Sequence, residues 1–473
     1  MRNDPSPGTE VSPSRSRSGF DAFLTNGVIL GLGLFSTLAV ARGLGPAGKG
    51  RYDLLVAAGS MLALFLGLQL SVGVTYMVAR GGDGRPLRLR MALFAVSEGA
   101  LAVALLWALW IWFGPPWPAD ALGVPPLSPL VAGGLVVAFV VASSVASLWR
   151  AILIGRQEII RANRRDLAIR VLQVGLVVAV VVAGAAAGRR ASPEAVFAGT
   201  VVAAIIAACV YVLGARVPEA TSPALDASHR VEVAMPSRTA FRRALSFSLP
   251  AYLSNIVQMA NYRLDLFFVA FFAGAAQVGV YAIAVVLAQL VWLAPQAVAV
   301  VLLPSTAADQ QDLQGNSERA SLGARVSLWG GLVVGLVLAA VSGWVIPAVF
   351  GRSFAGSSSL LLWLLPGVCL FAPATVFASF VAGMGRPKLN LLVSGVGFLA
   401  TICLDLLLIP VRGAQGAAIA SSVSYSISAV VMAAIFLKVS TAGLSDIVLL
   451  RAEDVRAVVG AARAAMIRGE VIA

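Results

Sequence analysis

Polar side chains recur along one apolar stretch, residues 245–273. They follow one another every three or four residues, a spacing that places them on one face of a helix: Tyr252, Asn255, Gln258, Tyr262 and Asp265. Arg263 lies beside this face, two residues from Asp265. A guanidinium group can bind an anion, and a carboxyl group can bind a proton or a metal cation. We therefore interpret this face as a candidate binding surface that lines a cavity.

The charges of Arg263 and Asp265 leave two interpretations open. A charged side chain near the middle of a membrane costs at least about 3 kcal/mol, so each must face a partner or a water-filled cavity. In one interpretation the two groups neutralise each other or neighbouring helices. In the other, Arg263 attracts an anionic headgroup while Asp265 titrates or binds a cation.

Five further polar residues fall inside apolar stretches: Asn26, Gln69, Glu98, Gln289 and Asp405. Glu98 and Asp405 are candidates for ion coupling, because an ionised carboxyl group inside a membrane needs a compensating charge. The alternative is that each stays neutral and has no role in transport. Asn26 is a candidate cavity residue, although hydrogen bonding between helices also explains such a residue.

The composition requires elements that cross a membrane. The chain has 473 residues, of which 59% are hydrophobic and 12% charged, and its mean hydropathy is +0.89. A soluble domain has about 25% charged residues, so this composition predicts an all-α integral membrane protein and no nucleic-acid partner. Twelve stretches are long enough to cross a bilayer as helices: residues 20–41, 54–79, 91–113, 130–148, 167–187, 195–213, 245–273, 278–303, 326–349, 360–382, 389–409 and 414–437.

The distribution of positive charge predicts the orientation. With a cytoplasmic N-terminus, most of the 35 Lys and Arg residues fall on the cytoplasmic side, which places both termini inside the cell. Arg42 is an exception, because it falls in the first outer connection together with Lys49 and Arg51. Contact with a phosphate group would explain it, and so would an ordinary solvated loop.

A short pattern occurs twice and divides the chain into halves. Gly45, Ala47, Gly50 and Tyr52 are echoed 229 residues later by Gly274, Ala276, Gly279 and Tyr281. Internal duplication of a helical bundle, with a site between the halves, is typical of secondary transporters. The predicted organisation is a disordered cytoplasmic tail (1–19), a six-helix lobe (20–214), a cytoplasmic linker (215–244), a second six-helix lobe (245–437) and a cytoplasmic amphipathic tail (438–473).

The sequence offers little for an enzyme. The single histidine, His229, lies in the linker, and Cys209, Cys369 and Cys403 all lie inside apolar stretches. We expect no catalytic set, no metal site and no cofactor. A membrane polymerase or ligase for glycans would need a large outer loop, whereas a scaffold that does not transport would tolerate changes at the charges inside the membrane.

The order of several short motifs resembles the polysaccharide (oligosaccharide-lipid) flippases of the MOP (multidrug/oligosaccharidyl-lipid/polysaccharide) exporter superfamily. The resemblance covers residues 20–437. Its motifs are Ala41 to Pro46 running into Gly50 to Tyr52, Arg263 to Asp265, Gly279 to Tyr281, Val349 to Gly351, Gly383 to Pro387, Leu408 to Pro410 and Gly416 to Ala420.

The resemblance implies two pseudo-symmetric six-helix lobes around a central cavity, which opens alternately to each side of the bacterial inner membrane. Members move oligosaccharides linked to undecaprenyl diphosphate, among membrane lipids and other proteins of polysaccharide synthesis. They need no nucleotide, and many use an ion gradient, for which H⁺ and Na⁺ are the candidates. Arg263 and Asp265 match a position in the seventh helix that often carries charge, whereas many relatives have Asn where Asp405 stands. The alternative within transport is an ion-coupled drug exporter of the related multidrug branch.

Overall fold

The computed structural model describes residues 13–68, 70–79, 85–113, 129–156, 158–188, 190–214, 237–451 and 454. All regular secondary structure in these ranges is helical. The α-helices are α1 (Pro13–Gly67), α2 (Leu70–Ala79), α3 (Arg85–Phe113), α4 (Pro129–Gly155), α5 (Ile159–Ala186), α6 (Pro193–Gly214), α7 (Ser237–Ala273), α8 (Ala275–Ala288), α9 (Leu293–Ala308), α10 (Leu313–Phe350), α11 (Gly356–Gly383), α12 (Pro387–Arg412), α13 (Ala414–Val439) and α14 (Leu444–Val448).

Eleven helical segments among the described residues are long and apolar enough to cross a membrane. The first, Gly27–Gly67, has 41 residues and would extend about 60 Å as one straight helix, twice the thickness of the hydrocarbon core. It is interrupted at Gly45, where the backbone leaves the helical region (φ 71°, ψ −179°). Division at this point gives about twelve helices, so the prediction of an all-α membrane protein of this size is confirmed.

The repeated glycines explain where the chain bends. Gly45 and Gly274 both have positive φ, 71° and 81°, which a residue without a Cβ adopts at little cost. Each ends one helical segment and starts the next without an intervening loop. The first outer connection is therefore not the solvated loop considered as one explanation of its charges. It continues as helix, and there Lys49 is buried and paired with Asp53.

The second glycine of each repeat brings two backbones into contact. A Cβ added to Gly50 would meet the carbonyl oxygen of Ala275, and a Cβ added to Gly279 would meet that of Pro46. Pro46 and Ala275 also occupy equivalent positions in the two copies, so the contact is reciprocal. Only glycine permits an approach this close, which gives a physical reason for its presence in both copies.

Contacts between Cα atoms divide the chain into two compact units. Unit 1 contains the described residues up to 44 and from 55 to 253. Its core lies where α2, α3, α4 and α6 meet. The largest fully or nearly fully buried side chains of this core are Leu70, Met91, Trp149, Ile152, Leu153 and Tyr211.

Unit 2 contains Gly45–Leu54 and the described residues from 254 onward. Its central helix is α11, which packs against α8, α9, α10 and α13. The rings of Phe377 and Phe436 stack in this core with centroids 4.3 Å apart, and Phe380 meets Phe436 edge-on. These contacts fix the positions of α11 and α13, which carry part of the candidate site.

The helices extend beyond several predicted ends. Helix α1 begins at Pro13, within the predicted tail, and α7 begins at Ser237, within the predicted linker. Residues 1–12 and 215–236 lie outside the described part. The C-terminal tail begins after α13 with the short helix α14, and most of the predicted amphipathic segment after it lies outside the described residues.

Candidate functional site

The candidate site in unit 2 is centred on Asp265 of α7. Its side chain is 5% exposed. Its Oδ1 accepts a hydrogen bond from the backbone N–H of Leu266 (2.7 Å), and its Oδ2 accepts one from the hydroxyl of Tyr281 on α8 (2.5 Å). The Tyr281 hydroxyl also lies 3.1 Å from Oγ of Ser421 on α13. Three helices therefore converge on this carboxyl group.

Asp405 of α12 is the second carboxyl group of this cluster. It is fully buried, and neither of its oxygen atoms has a hydrogen-bond partner among the described residues. It lies close enough to Asp265 for the two charges to interact. Two buried carboxyl groups that repel each other when both are ionised are stabilised by a shared proton or by a cation.

Neutral oxygen atoms extend the cluster along α12 and α13. The Thr401 hydroxyl donates to Oδ1 of Asn261 (2.7 Å) and lies 2.6 Å from Oγ of Ser424. Ser424 in turn donates to the backbone carbonyl of Gly397 (2.7 Å). Carboxyl, hydroxyl and amide oxygens are donors that suit a hard cation or a proton relay.

Arg263 and Asp265 do not form a direct ion pair. The carboxyl group takes its hydrogen bonds from Leu266 and Tyr281, and no hydrogen bond or ion pair joins Arg263 to a residue in the described part of the chain. Its side chain is half-buried. The two side chains therefore form no direct ion pair, although their charges still attract each other.

Four aromatic rings pack beside the carboxyl cluster. Tyr262 lies 5.9 Å from Trp292 and 6.3 Å from Tyr425 between ring centroids, and Phe371 lies within 5.7 Å of both Trp292 and Tyr425. The indole N–H of Trp292 donates to the carbonyl of Val368 (3.1 Å), which fixes the ring. The rings of Trp292 and Tyr425 are themselves buried.

A second polar site lies in unit 1. Glu98 of α3 is 2% exposed, and its Oε1 accepts a hydrogen bond from the Ser144 hydroxyl on α4 (3.0 Å). Tyr252 is also in this unit, where its hydroxyl donates to the backbone carbonyl of Phe65 (2.6 Å). The predicted polar face of α7 thus contributes to both units.

The remaining predicted site residues are scattered. Gln258 is exposed and donates to the Tyr262 hydroxyl (3.4 Å). Arg42 lies on α1 with an exposed side chain. The side chains of Asn26 and Asn255 lie outside the described residues. The structure brings together Tyr262, Asp265 and Asp405.

Sequence reasoning missed several members of the cluster. Tyr281 was recognised as part of the repeat but was not assigned to a site, and Thr401, Ser421 and Ser424 were not singled out. A signal existed in α13, where serines recur among small residues in the pattern of a tightly packed membrane helix. The bonds of Ser421 to Tyr281 and of Thr401 to Asn261 each span 140 residues of sequence, which no local pattern reveals.

Comparison with protein-family models gives one match. Residues 93–359, more than half of the chain, match the family described as "Polysaccharide biosynthesis protein". No curated protein sequence matches the chain.

Solved structures share the fold. An inward closed structure of the lipid II flippase MurJ matches with a TM-score of 0.70 and 13% identity over 90% of this chain and 88% of that one. An inward-facing multidrug resistance MATE family transporter of the MOP superfamily matches with a TM-score of 0.62 and 17% identity over 87% and 93%. A MOP superfamily transporter from Pyrococcus furiosus, described as having a binding pocket of reverse polarity, matches with a TM-score of 0.58 and 16% identity over 89% of this chain and 94% of that one. The fold is that of the MOP superfamily, as the sequence motifs predicted.

Proposed function

We propose that this protein, which belongs to the family of polysaccharide biosynthesis proteins, is a flippase that moves lipid-diphosphate-linked oligosaccharides across the bacterial inner membrane by alternating access. The family match supports a role in polysaccharide synthesis, and the shared fold with the lipid II flippase MurJ supports movement of a lipid-linked sugar. The substrate class proposed is an undecaprenyl-diphosphate-linked oligosaccharide that serves cell-surface polysaccharide export. Both termini are proposed to lie in the cytoplasm.

The observation that carries the proposal is the position of Arg263. A diphosphate headgroup cannot cross hydrocarbon unaided, because its charges would lose their hydration. A half-buried guanidinium within a membrane helix, not paired with the nearby Asp265, offers charge-assisted hydrogen bonds to phosphate oxygens. Binding at such a group replaces part of the lost hydration while the sugar and diphosphate pass.

The carboxyl cluster supplies a means of coupling to an ion gradient. Binding of H⁺ or Na⁺ at Asp265 and Asp405 would relieve the repulsion between them. Because Tyr281 and Ser421 join α7, α8 and α13 at this point, a change in the charge of Asp265 would alter the packing of all three helices. A ligand that binds one arrangement of these helices more tightly shifts the population towards it.

The test is flipping of a fluorescent lipid-diphosphate oligosaccharide in proteoliposomes. We expect Arg263→Ala to reduce the flipping rate at least about tenfold, since a hydrogen-bonded charge contributes about 1.5–3 kcal/mol. We expect Arg263→Lys to recover part of the rate. Arg352→Ala, at an exposed arginine, is the matched control and should leave the rate unchanged.

Two outcomes would contradict the proposal. One is a well-folded wild-type protein that flips none of several lipid-linked glycans but exports cationic drugs, which would favour a multidrug exporter. The other is flipping that is insensitive to Arg263→Ala. Flipping by Asp405→Asn, measured with and without an imposed H⁺ or Na⁺ gradient, separates ion coupling from substrate binding. If the protein is coupled through Asp405, this variant should lose the dependence of flipping on the gradient and keep downhill flipping.

A further inference from the structure

The second membrane crossing of unit 1 contains a broken helix. Helix α1 ends at Gly67 and α2 begins at Leu70, near the middle of the apolar stretch 54–79. Leu68 has a φ of 47°, the left-handed conformation, which costs a residue with a side chain about 1–2 kcal/mol. Among the described residues outside glycine, Leu68 alone has positive φ.

A broken helix inside a membrane leaves polar backbone groups in hydrocarbon. The last four carbonyl groups of a helix have no partner within it, and the hydrocarbon of a membrane offers them none. The structure shows one external partner, since Tyr252 donates to the carbonyl of Phe65. A strained and costly break of this kind persists when it serves a site.

The Glu98 side chain points at the break. Its Oε1 is close enough to Gly67 that a Cβ added there would lie 3.1 Å from it. The Ser144 hydroxyl reaches the same oxygen, whereas Oε2 is buried without a hydrogen-bond partner in the described residues. No ion pair recorded in that part of the chain includes Glu98.

We propose that this pocket binds a monovalent metal cation of the Na⁺ class. Its donors would be the Glu98 carboxylate, the Ser144 hydroxyl and carbonyl oxygens at the end of α1 near Gly67. All are hard oxygen donors, and the C-terminal end of a helix such as α1 carries the negative end of its dipole. The cation would neutralise Glu98 and satisfy the carbonyl groups that the break exposes.

The geometry favours a metal cation over a proton alone. A proton on Glu98 would neutralise its charge and could bridge to one acceptor only. A proton would also leave the carbonyl groups at the end of α1 without a positive partner, whereas one cation contacts several oxygens at once. The site is separate from the Asp265 and Asp405 cluster, which belongs to unit 2, and it does not depend on which substrate the protein moves.

The test is equilibrium binding of radioactive Na⁺ to the full-length protein in nanodiscs. The background is Asp265→Asn with Asp405→Asn, so that the cluster in unit 2 does not contribute. We expect this background to bind Na⁺, and we expect added Glu98→Gln to weaken binding at least about tenfold. Ser144→Ala should weaken it several-fold, because loss of a neutral donor costs less than loss of the carboxylate.

Glu318→Gln is the matched control, because Glu318 is exposed on α10 and its loss should leave Na⁺ binding unchanged. A monodisperse elution profile establishes that each variant is folded.

If the double variant does not fold, Glu98→Gln in the wild-type chain should reduce the number of bound Na⁺ ions by one. Binding that is insensitive to Glu98→Gln, or a folded background that binds no Na⁺, would overturn the proposal. Neither result bears on flipping, which is measured separately.

Discussion

The two halves of the chain share the same glycines but not the same buried carboxyl groups. Gly45 and Gly50 recur as Gly274 and Gly279, with the same bend and a reciprocal backbone contact. The buried carboxyl groups do not recur. At the same offset Asp265 corresponds to Ser36, and Glu98 corresponds to Ser327.

This difference separates what the fold requires from what each unit does. A backbone contact that only glycine permits must be retained in both copies, or the helices cannot approach. A buried carboxyl group is costly wherever it stands, so it is retained where it serves a local purpose. Unit 2 gives Asp265 a backbone donor from α7 and the Tyr281 hydroxyl from α8, which is bonded in turn to Ser421 of α13. Unit 1 gives Glu98 one hydroxyl and a broken helix.

The two units also differ in how deeply an ion pair is buried, and this difference predicts the largest effect. In unit 2, Arg325 and Asp454 are joined by two bonds of 2.7 Å, and their side chains are 7% and 4% exposed. Arg325→Ala should destabilise the protein by about 3–5 kcal/mol, because it leaves a buried carboxylate unpaired. Denaturant unfolding in detergent micelles measures this loss.

The control lies in unit 1. Arg150 pairs with Asp166 at 2.8 Å, but the two side chains are 38% and 25% exposed, so Arg150→Ala should cost only about 1 kcal/mol. Equal losses would refute the contrast.

The hydrogen bond from Arg325 holds the pKa of Asp454 below its usual range. The contribution of this pair is therefore fully present at neutral pH and is lost as the pH falls through that lowered value.

The glycine contact predicts an effect of intermediate size that should be equal in both copies. Gly279→Ala places a methyl group against the backbone of Pro46 and Gly50, which cannot rotate away. We expect a loss of about 1–3 kcal/mol from overpacking, and the same loss for Gly50→Ala. The thermal unfolding midpoint measures both.

Gly330→Ala is the matched control, because a Cβ there meets nothing within 4 Å. It should be neutral, or it should stabilise α10 by up to about 1 kcal/mol through helix propensity. A tolerated Gly279→Ala together with a damaging Gly50→Ala would show that the contact is not reciprocal.

Much of the fold followed from sequence because the membrane restricts the choices. Apolar length fixed the number of helices, and the glycine pattern located the bends at Gly45 and Gly274. The break at Gly67 was not predicted, because a single glycine inside an apolar stretch is also compatible with a continuous helix. The helical start of α7 at Ser237 was also missed. A basic segment flanked by proline predicts a linker, whereas in the structure the segment is helical.

The candidate site was predictable only in part. The spacing along α7 pointed to Tyr262 and Asp265 because one helix carries both. Asp405 was recognised by its charge, but its position beside Asp265 depends on the packing of α12, which the sequence does not encode locally. For the same reason the partners Tyr281 and Ser421, 140 residues apart, could not have been assigned to one cluster. The roles of Asn26, Arg42 and Asn255 stay predictions.

The hydrogen bonds to the two carboxyl groups predict a smaller effect than the buried ion pair. Tyr281→Phe removes the hydroxyl that bonds both Asp265 and Ser421, so it should cost about 1.5–3 kcal/mol, the range for bonds to a charged group. Ser144→Ala removes the one hydroxyl bonded to Glu98 and, in Na⁺-free buffer, should cost about 1 kcal/mol. Denaturant unfolding of both variants compares the two sites directly. A larger loss for Ser144→Ala would mean that unit 1 depends more than unit 2 on its polar contacts. The number of donors around a buried carboxyl group would then not determine how much that group contributes to stability.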